Sequence, residues 1–203
     1  MAEIKALFWD VGGVLLTNGW DRRARRRAVE AFKLDWEDFE DRHELLVTRF
    51  ETGRLPLDRY LERTIFYRSR DFGKEQFQAY MFAQSKPIEG TLDLLGRLAG
   101  AGKYLLGTLN NESRELNRYR IDHFELRKYF NVFFSSCFLG VKKPDDEIFR
   151  LALDLSQHAP EECMFIDDRE LNLECAGRSG LRTLHFENAE QLESDLREAG
   201  LEF

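Results

Sequence analysis

Four segments of this 203-residue chain place oxygen and nitrogen groups directly after apolar runs. Asp10-Val11-Gly12-Gly13 follows Ile4–Trp9. Asn110-Asn111 follows Lys103–Leu109. Lys142-Lys143-Pro144 comes shortly after Val132–Ser135. Asp167-Asp168-Arg169 follows Cys163–Ile166. Apolar runs of this length read as strands covered on both faces. In an open parallel sheet, residues just beyond the carboxyl ends of the strands line one crevice. Asp10 is then a candidate nucleophile or metal ligand. Asp10, Asp167 and Asp168 together would repel one another unless protons or a divalent cation neutralised them. Oxygen-only donors suit Mg2+, which takes one or two carboxylates and keeps room for water and phosphate. Lys143 and amide donors at Asn110 and Asn111 could hold anionic oxygens. Taken singly, each group has a plainer explanation: a turn aspartate, a helix cap, a surface lysine. Their joint order at strand ends points to phosphoryl chemistry.

The elements that must position these groups can be read from pattern and punctuation. From Asp21 to Ala83 the chain is charged, aromatic and helical in character. Helices are predicted over Asp21–Phe32, Trp36–Phe50, Leu57–Phe66 and Lys74–Ala83, with Pro56 and Gly53 as punctuation. After Pro87 strands and helices alternate: helix 91–99, strand 103–109, helices 112–120 and 122–129, strand 132–135, helix 145–155, strand 163–166, helix 171–178, strand 182–185 and helix 189–199. This predicts an α/β fold, a Rossmann-like doubly wound parallel sheet whose first strand comes from the N-terminus. Residues 1–16 and 88–203 would form the core. Residues 17–87 would form an inserted α-helical cap beside the carboxyl end of the first strand, placed to act as a lid.

Bulk composition narrows the class. The chain is 43% hydrophobic and 33% charged, as a globular domain is. A net charge of -7 argues against generic nucleic-acid binding. No apolar run approaches the roughly 18 residues of a membrane span. The N-terminus reads as a strand rather than a signal peptide, and Cys137, Cys163 and Cys175 lack metal-ligand spacing. The expectation is a cytoplasmic protein with reduced thiols, acting on a small molecule rather than on nucleic acid or membrane. Monomer and homodimer both stay open.

The Asp10-to-Leu16 start, the Gly140-Val141-Lys142-Lys143-Pro144-Asp145 segment and the Ile166-Asp167-Asp168-Arg169 segment together resemble the haloacid dehalogenase (HAD) superfamily of hydrolases, in order and spacing. The similarity covers nearly the whole chain. Within the superfamily it resembles the helical-cap phosphatase branch whose first motif reads Asp-x-Gly, which includes glucose-1-phosphate phosphatase. The resemblance implies that Asp10 forms an aspartyl-phosphate that water hydrolyses. It implies Mg2+ held by Asp10, the Gly12 carbonyl and Asp168, with Asp167 supporting. Lys143 would neutralise the nucleophile and phosphoryl oxygens, and Asn110 beside Asn111 would donate to them. The implied substrate is a small phosphorylated metabolite, a sugar phosphate being one candidate.

Two positions depart from the family pattern. Family phosphatases carry a second aspartate two residues after the nucleophile as general acid and base, and here that residue is Gly12. Loss of a general acid lowers a rate by roughly 10²- to 10⁴-fold. Asn110 stands where Ser or Thr is usual, and Thr108 lies two residues earlier. The alternatives are therefore a dehalogenase in which Asp10 attacks carbon, and a weakly catalytic or non-catalytic binding protein on the same fold. In the cap, the arginines of Asp21–Arg27 read as a solvated face, and Trp20, Trp36, Phe39, Phe50 and Tyr60 as cap core. His43, the cap's one histidine, is the candidate substitute acid, although a lone helical histidine is more often structural.

Overall fold

A computed structural model describes residues 2–203, so Met1 of the expected core segment lies outside it. Five parallel strands form one sheet in the order β3-β2-β1-β4-β5. They are β1 (Ala6–Trp9), β2 (Leu105–Asn110), β3 (Val132–Ser135), β4 (Cys163–Asp167) and β5 (Arg182–His185). The N-terminal strand is central, pairing with β2 on one side and β4 on the other.

Alternation along the strands explains the layers. Leu7 and Trp9 of β1, with Met164 and Ile166 of β4, enter one apolar cluster. Leu94, Leu95 and Leu98 of α5 (Thr91–Ala101) and Leu192 and Leu196 of α10 (Ala189–Glu198) complete it. Ala6 and Phe8, with Cys163 and Phe165, enter the opposite cluster. There they meet Ile148, Phe149 and Ala152 of α8 (Asp146–Ser156) and Leu173 and Ala176 of α9 (Glu170–Arg178). Successive side chains on a strand point to opposite faces and both faces are covered, so β1 is apolar throughout and β4 is apolar up to its final Asp167. Phe8 and Phe134 meet edge-to-face with ring centroids 5.4 Å apart. Truncating such a ring to alanine costs about 3–5 kcal/mol.

Four helices stand between β1 and α5: α1 (Arg22–Ala31), α2 (Trp36–Glu51), α3 (Leu57–Thr64) and α4 (Lys74–Phe82). Asp21 and Asp35 cap α1 and α2 through their side chains, accepting from Ala24 N and Asp38 N. These helices have their own apolar cluster, with Trp20, Phe39, Phe50, Tyr60, Leu61, Phe77 and Met81. Leu116 of α6 (Arg114–His123) joins that cluster from the sheet side. The two chain crossings between block and sheet lie side by side. Leu16 bridges Pro87, Thr17 N donates to Lys86 O at 2.8 Å, and Ile88 N donates to Leu15 O at 2.9 Å.

Local differences from the sequence reading have simple causes. The α6 helix begins at Arg114, because Asn111 and Glu112 belong to the loop leaving β2. A short helix α7 (Ser136–Leu139), not foreseen, turns the chain directly after β3. Gly140 ends it at φ 81°, a conformation that favours glycine. The second short helix expected near 122–129 is a 3₁₀ turn at Leu126–Lys128.

Candidate active site

Asp10 leaves β1 with its backbone still tied to the sheet, Asp10 N donating to Ile166 O at 2.9 Å. Its Oδ1 accepts from Val11 N at 2.8 Å and lies 3.2 Å from Lys143 Nζ. Burial pushes the Asp10 carboxyl up to about 7, and the charges of Asp167 and Asp168 push the same way, while Lys143 pulls it down. Burial opposes the charge on Lys143, but the Asp10 and Asp167 carboxylates outweigh it and hold the ammonium above its ordinary value.

Asp167 and Asp168 are adjacent in sequence but differ in surroundings. Asp167 is fully buried. It accepts from Lys143 Nζ at 2.5 Å, from Arg169 N at 2.8 Å and from Asn172 Nδ2 at 3.0 Å on each oxygen. Asp168 Oδ1 is buried without a hydrogen-bond partner among the described residues. Burial, then the charge of Asp167, raises the Asp168 carboxyl above its usual range. Oxygens of Asp10, Asp167 and Asp168 lie within 4.8 Å of one another. Three acids this close, one with an orphaned buried oxygen, fit a divalent cation, because Lys143 supplies only one positive charge against them. Gly13 makes this possible. Its φ is 93°, and a Cβ there would stand 2.4 Å from Asp168 Oδ2.

The asparagine pair divides differently from expectation. Asn110 is the last residue of β2, 1% exposed, paired with Ser135 in the sheet. Its amide donates to Asn117 Oδ1 at 3.0 Å and accepts from Ser135 Oγ at 2.8 Å. Asn117 Nδ2 closes the ring on Ser135 Oγ at 3.0 Å. Asn110 therefore does not reach the cavity, and its expected donation to phosphoryl oxygens is corrected to a buried structural network. Thr108 is likewise buried within the strand. Asn111 does line the cavity, and it brackets the Lys143 backbone, accepting from Lys143 N and donating to Lys143 O, both at 2.8 Å.

A cavity of about 430 Å3 joins Asp10, Gly12, Asn111 and Lys143 to Trp20, Arg25, His43 and Phe50 of the helical block. At Gly12 a side chain would meet Asn18 Oδ1 at 3.0 Å and Arg120 NH1 at 3.4 Å. Arg120, 1% exposed, pairs with Glu112 at 3.1 Å. It also donates to Ser85 Oγ and Thr17 O, both at 3.0 Å, so one guanidinium ties both chain crossings. Sequence reasoning missed this residue. The available signal was an arginine on the same helical stripe as Leu116 and Ile121.

Other expectations for the cap also change. Arg25 is not solvated: it forms a two-pronged pair with Glu40 at 2.9 and 2.7 Å and donates to Trp20 O. Arg26 lies 3.8 Å over the Trp36 ring. His43 is 4% exposed and, by burial first, is pushed down to about 3, so it holds no transferable proton at neutral pH.

A family profile of haloacid dehalogenase-like hydrolases matches residues 4–180. The chain belongs to this family. The HAD chain is 32% identical over 162 residues to the chloroplastic flavin mononucleotide hydrolase 1 of Arabidopsis thaliana, covering 80% of itself and 65% of that relative. It thus spans slightly under two thirds of that relative's length. It is 26% identical to the glyceraldehyde 3-phosphate phosphatase of Pyrococcus furiosus, covering 97% of itself and 86% of that protein. A HAD family enzyme of Bacteroides thetaiotaomicron, solved with magnesium and inorganic phosphate, superposes with a TM-score of 0.74 at 25% identity, over 91% of this chain and 95% of that one. The chain is a HAD hydrolase with an α/β Rossmann-like core. Among the described residues no helix is long and apolar enough to cross a membrane.

Proposed function

We propose that this HAD hydrolase is a Mg2+-dependent phosphatase of small phosphorylated metabolites, with 17–87 as its cap over a core of 1–16 and 88–203. The observation that carries the reading is Asp10, 3.2 Å from Lys143 Nζ and beside the orphaned oxygen of Asp168. The Asp10 carboxylate attacks phosphorus, the bond to the ester oxygen breaks, and the leaving oxygen takes a proton from water. Water then attacks the aspartyl-phosphate, releasing inorganic phosphate and freeing Asp10. Lys143 balances the charge of Asp10 before attack and of the phosphoryl oxygens afterwards. Asp167 positions Lys143, and Asn111 fixes the backbone from which Lys143 projects. Asp10, the Gly12 carbonyl and Asp168 would hold the metal, with Asp167 behind them. Bound there, Mg2+ would neutralise charge building on the phosphoryl oxygens.

Gly12 offers no acid, so turnover favours esters whose leaving oxygen needs little protonation. The relatives' names make flavin mononucleotide and glyceraldehyde 3-phosphate natural members of a substrate panel. The three buried cysteines are all free, as in a protein of a reducing compartment. The dehalogenase reading is less well supported, because the acids that suit a cation would repel an anionic haloacid. The test is phosphate release from a panel of monoesters with Mg2+ and with chelator, in wild type and Asp10→Asn. Chelator-sensitive release that disappears in the variant is expected. Release that survives the variant overturns the nucleophile assignment, and chelator-insensitive halide release from a haloacid would favour the dehalogenase.

A further inference from the structure

At the cap end of the cavity three buried polar side chains form a one-way chain of hydrogen bonds. Trp20 Nε1–H can only donate, and it donates to Tyr60 Oη at 2.9 Å. Tyr60 is fully buried, and burial raises its phenol well above the usual range, so the O–H proton stays in place. That proton needs an acceptor, and the available one is His43 Nδ1 at 2.8 Å. The His43 ring is thereby fixed as the neutral tautomer with its proton on Nε2. Packing holds the arrangement rigid, with Phe50 stacked on Tyr60 at 4.0 Å and Phe39 on His43 at 6.3 Å. Arg25 and Lys142 oppose a second proton on the imidazole, while Glu40 favours one.

His43 lines the cavity, and among the described residues its Nε2–H has no hydrogen-bond partner. With Nδ1 occupied by Tyr60, the Nε2–H is the ring's remaining donor and is open to the cavity, where it can meet an oxygen of a bound molecule. Three of the cations lining this end are matched, while Arg22 also lines the cavity without an ion-pair partner among the described residues. Arg25 is paired with Glu40, Lys142 with Glu51 at 2.5 Å, and Arg120 with Glu112. This end of the cavity therefore offers no unpaired cation at these three positions to a second phosphate or a carboxylate.

We propose that His43 is a specificity-determining residue whose Nε2–H donates to an uncharged oxygen, a hydroxyl or carbonyl, on the organic part of a phosphate monoester. The proposal rests on the phosphatase reading, which places the phosphoryl group at Asp10. It favours monoesters whose organic part carries a neutral oxygen within reach of His43 over those that lack one.

The test combines NMR of 15N-histidine-labelled, Mg2+-loaded protein with kinetics. His43 is expected as the neutral, Nε2-protonated tautomer from about pH 5 to pH 8. Tyr60→Phe, which removes the O–H, is expected to release that preference. The Nε2–H resonance should move with flavin mononucleotide or glyceraldehyde 3-phosphate, whichever is turned over, and stay put with inorganic phosphate. His43→Phe should lower kcat/KM for that ester on the order of tenfold, mainly through KM. His43→Gln, which keeps an N–H donor, should lose less. A proton on Nδ1, an equal response to inorganic phosphate, or an unchanged kcat/KM in His43→Phe overturns the proposal. A wild-type protein that hydrolyses no ester fails the phosphatase reading. His43 is then judged by its tautomer and by whether riboflavin or glyceraldehyde alone moves its Nε2–H: movement supports the donor role and no movement overturns it.

Discussion

The Lys143 ammonium lies nearer to Asp167, at 2.5 Å, than to Asp10, at 3.2 Å. Asp167 thus anchors the lysine while leaving the Asp10 carboxylate only partly engaged. A nucleophile held in a tight ion pair would be a poor one, so the offset suits an attacking Asp10. Lys143→Met is expected to reduce turnover by about 10²-fold or more, as loss of a charge-stabilising group in a closed site does. It should also destabilise the protein by about 3–5 kcal/mol, because Asp167 is left buried without its cation. Phosphate release and denaturant unfolding of the same preparation measure both.

Gly13 is the position where backbone geometry and metal chemistry meet. Its positive φ and the 2.4 Å approach of Asp168 leave no room for a methyl group. Gly13→Ala is expected to cost about 1–3 kcal/mol in strain. It should weaken Mg2+ binding at least about tenfold, since Asp168 must move. Calorimetric Mg2+ titration of folded variant and wild type decides; equal affinity would show that Asp168 does not hold the cation.

His43 makes a clean acid-stability prediction. Its pKa falls from 6.5 to about 3 on folding, so the unfolded chain binds a proton that the folded protein refuses. Its contribution to stability is present above about pH 6.5 and is lost progressively as pH falls toward 3. Each pH unit in that window costs at most about 1.4 kcal/mol. Compared with His43→Phe, the wild type should lose on the order of 2 kcal/mol more between about pH 7 and pH 5. Denaturant unfolding at the two pH values gives the difference directly.

Arg120 and Glu112 form a closed pair that also holds both chain crossings. Arg120→Met leaves Glu112 buried without its counter-charge and should cost about 3–5 kcal/mol. The Arg120→Met, Glu112→Gln double variant should be less destabilised than the sum of the singles, because the two residues share one interaction. Strict additivity in urea unfolding would mean that the pair does not act as a unit.

Much of this protein was legible in its sequence because the information was local. Alternating apolar runs and glycine punctuation place the strands and helices to within a few residues. Asp10, Lys143, Asp167 and Asp168 could be singled out because a parallel sheet brings its strand ends together whatever the details of packing. Other features depend on where side chains point after packing. Asn110 and Asn111 are neighbours of one type, yet the pleat sends Asn110 into a buried network with Asn117 and Ser135 and leaves Asn111 at the cavity. Asp167 and Asp168 divide the same way, one saturated with donors and one with an orphaned oxygen. Arg25, Arg120 and His43 find their partners 15, 8 and 17 residues away, at Glu40, Glu112 and Tyr60. Sequence determined the fold and the chemical groups at the carboxyl edge of its sheet, because strand and helix periodicity is written residue by residue. Only tertiary structure decided which of those groups are free to act, because hydrogen-bond partnership and burial exist only once the helical block closes over the sheet.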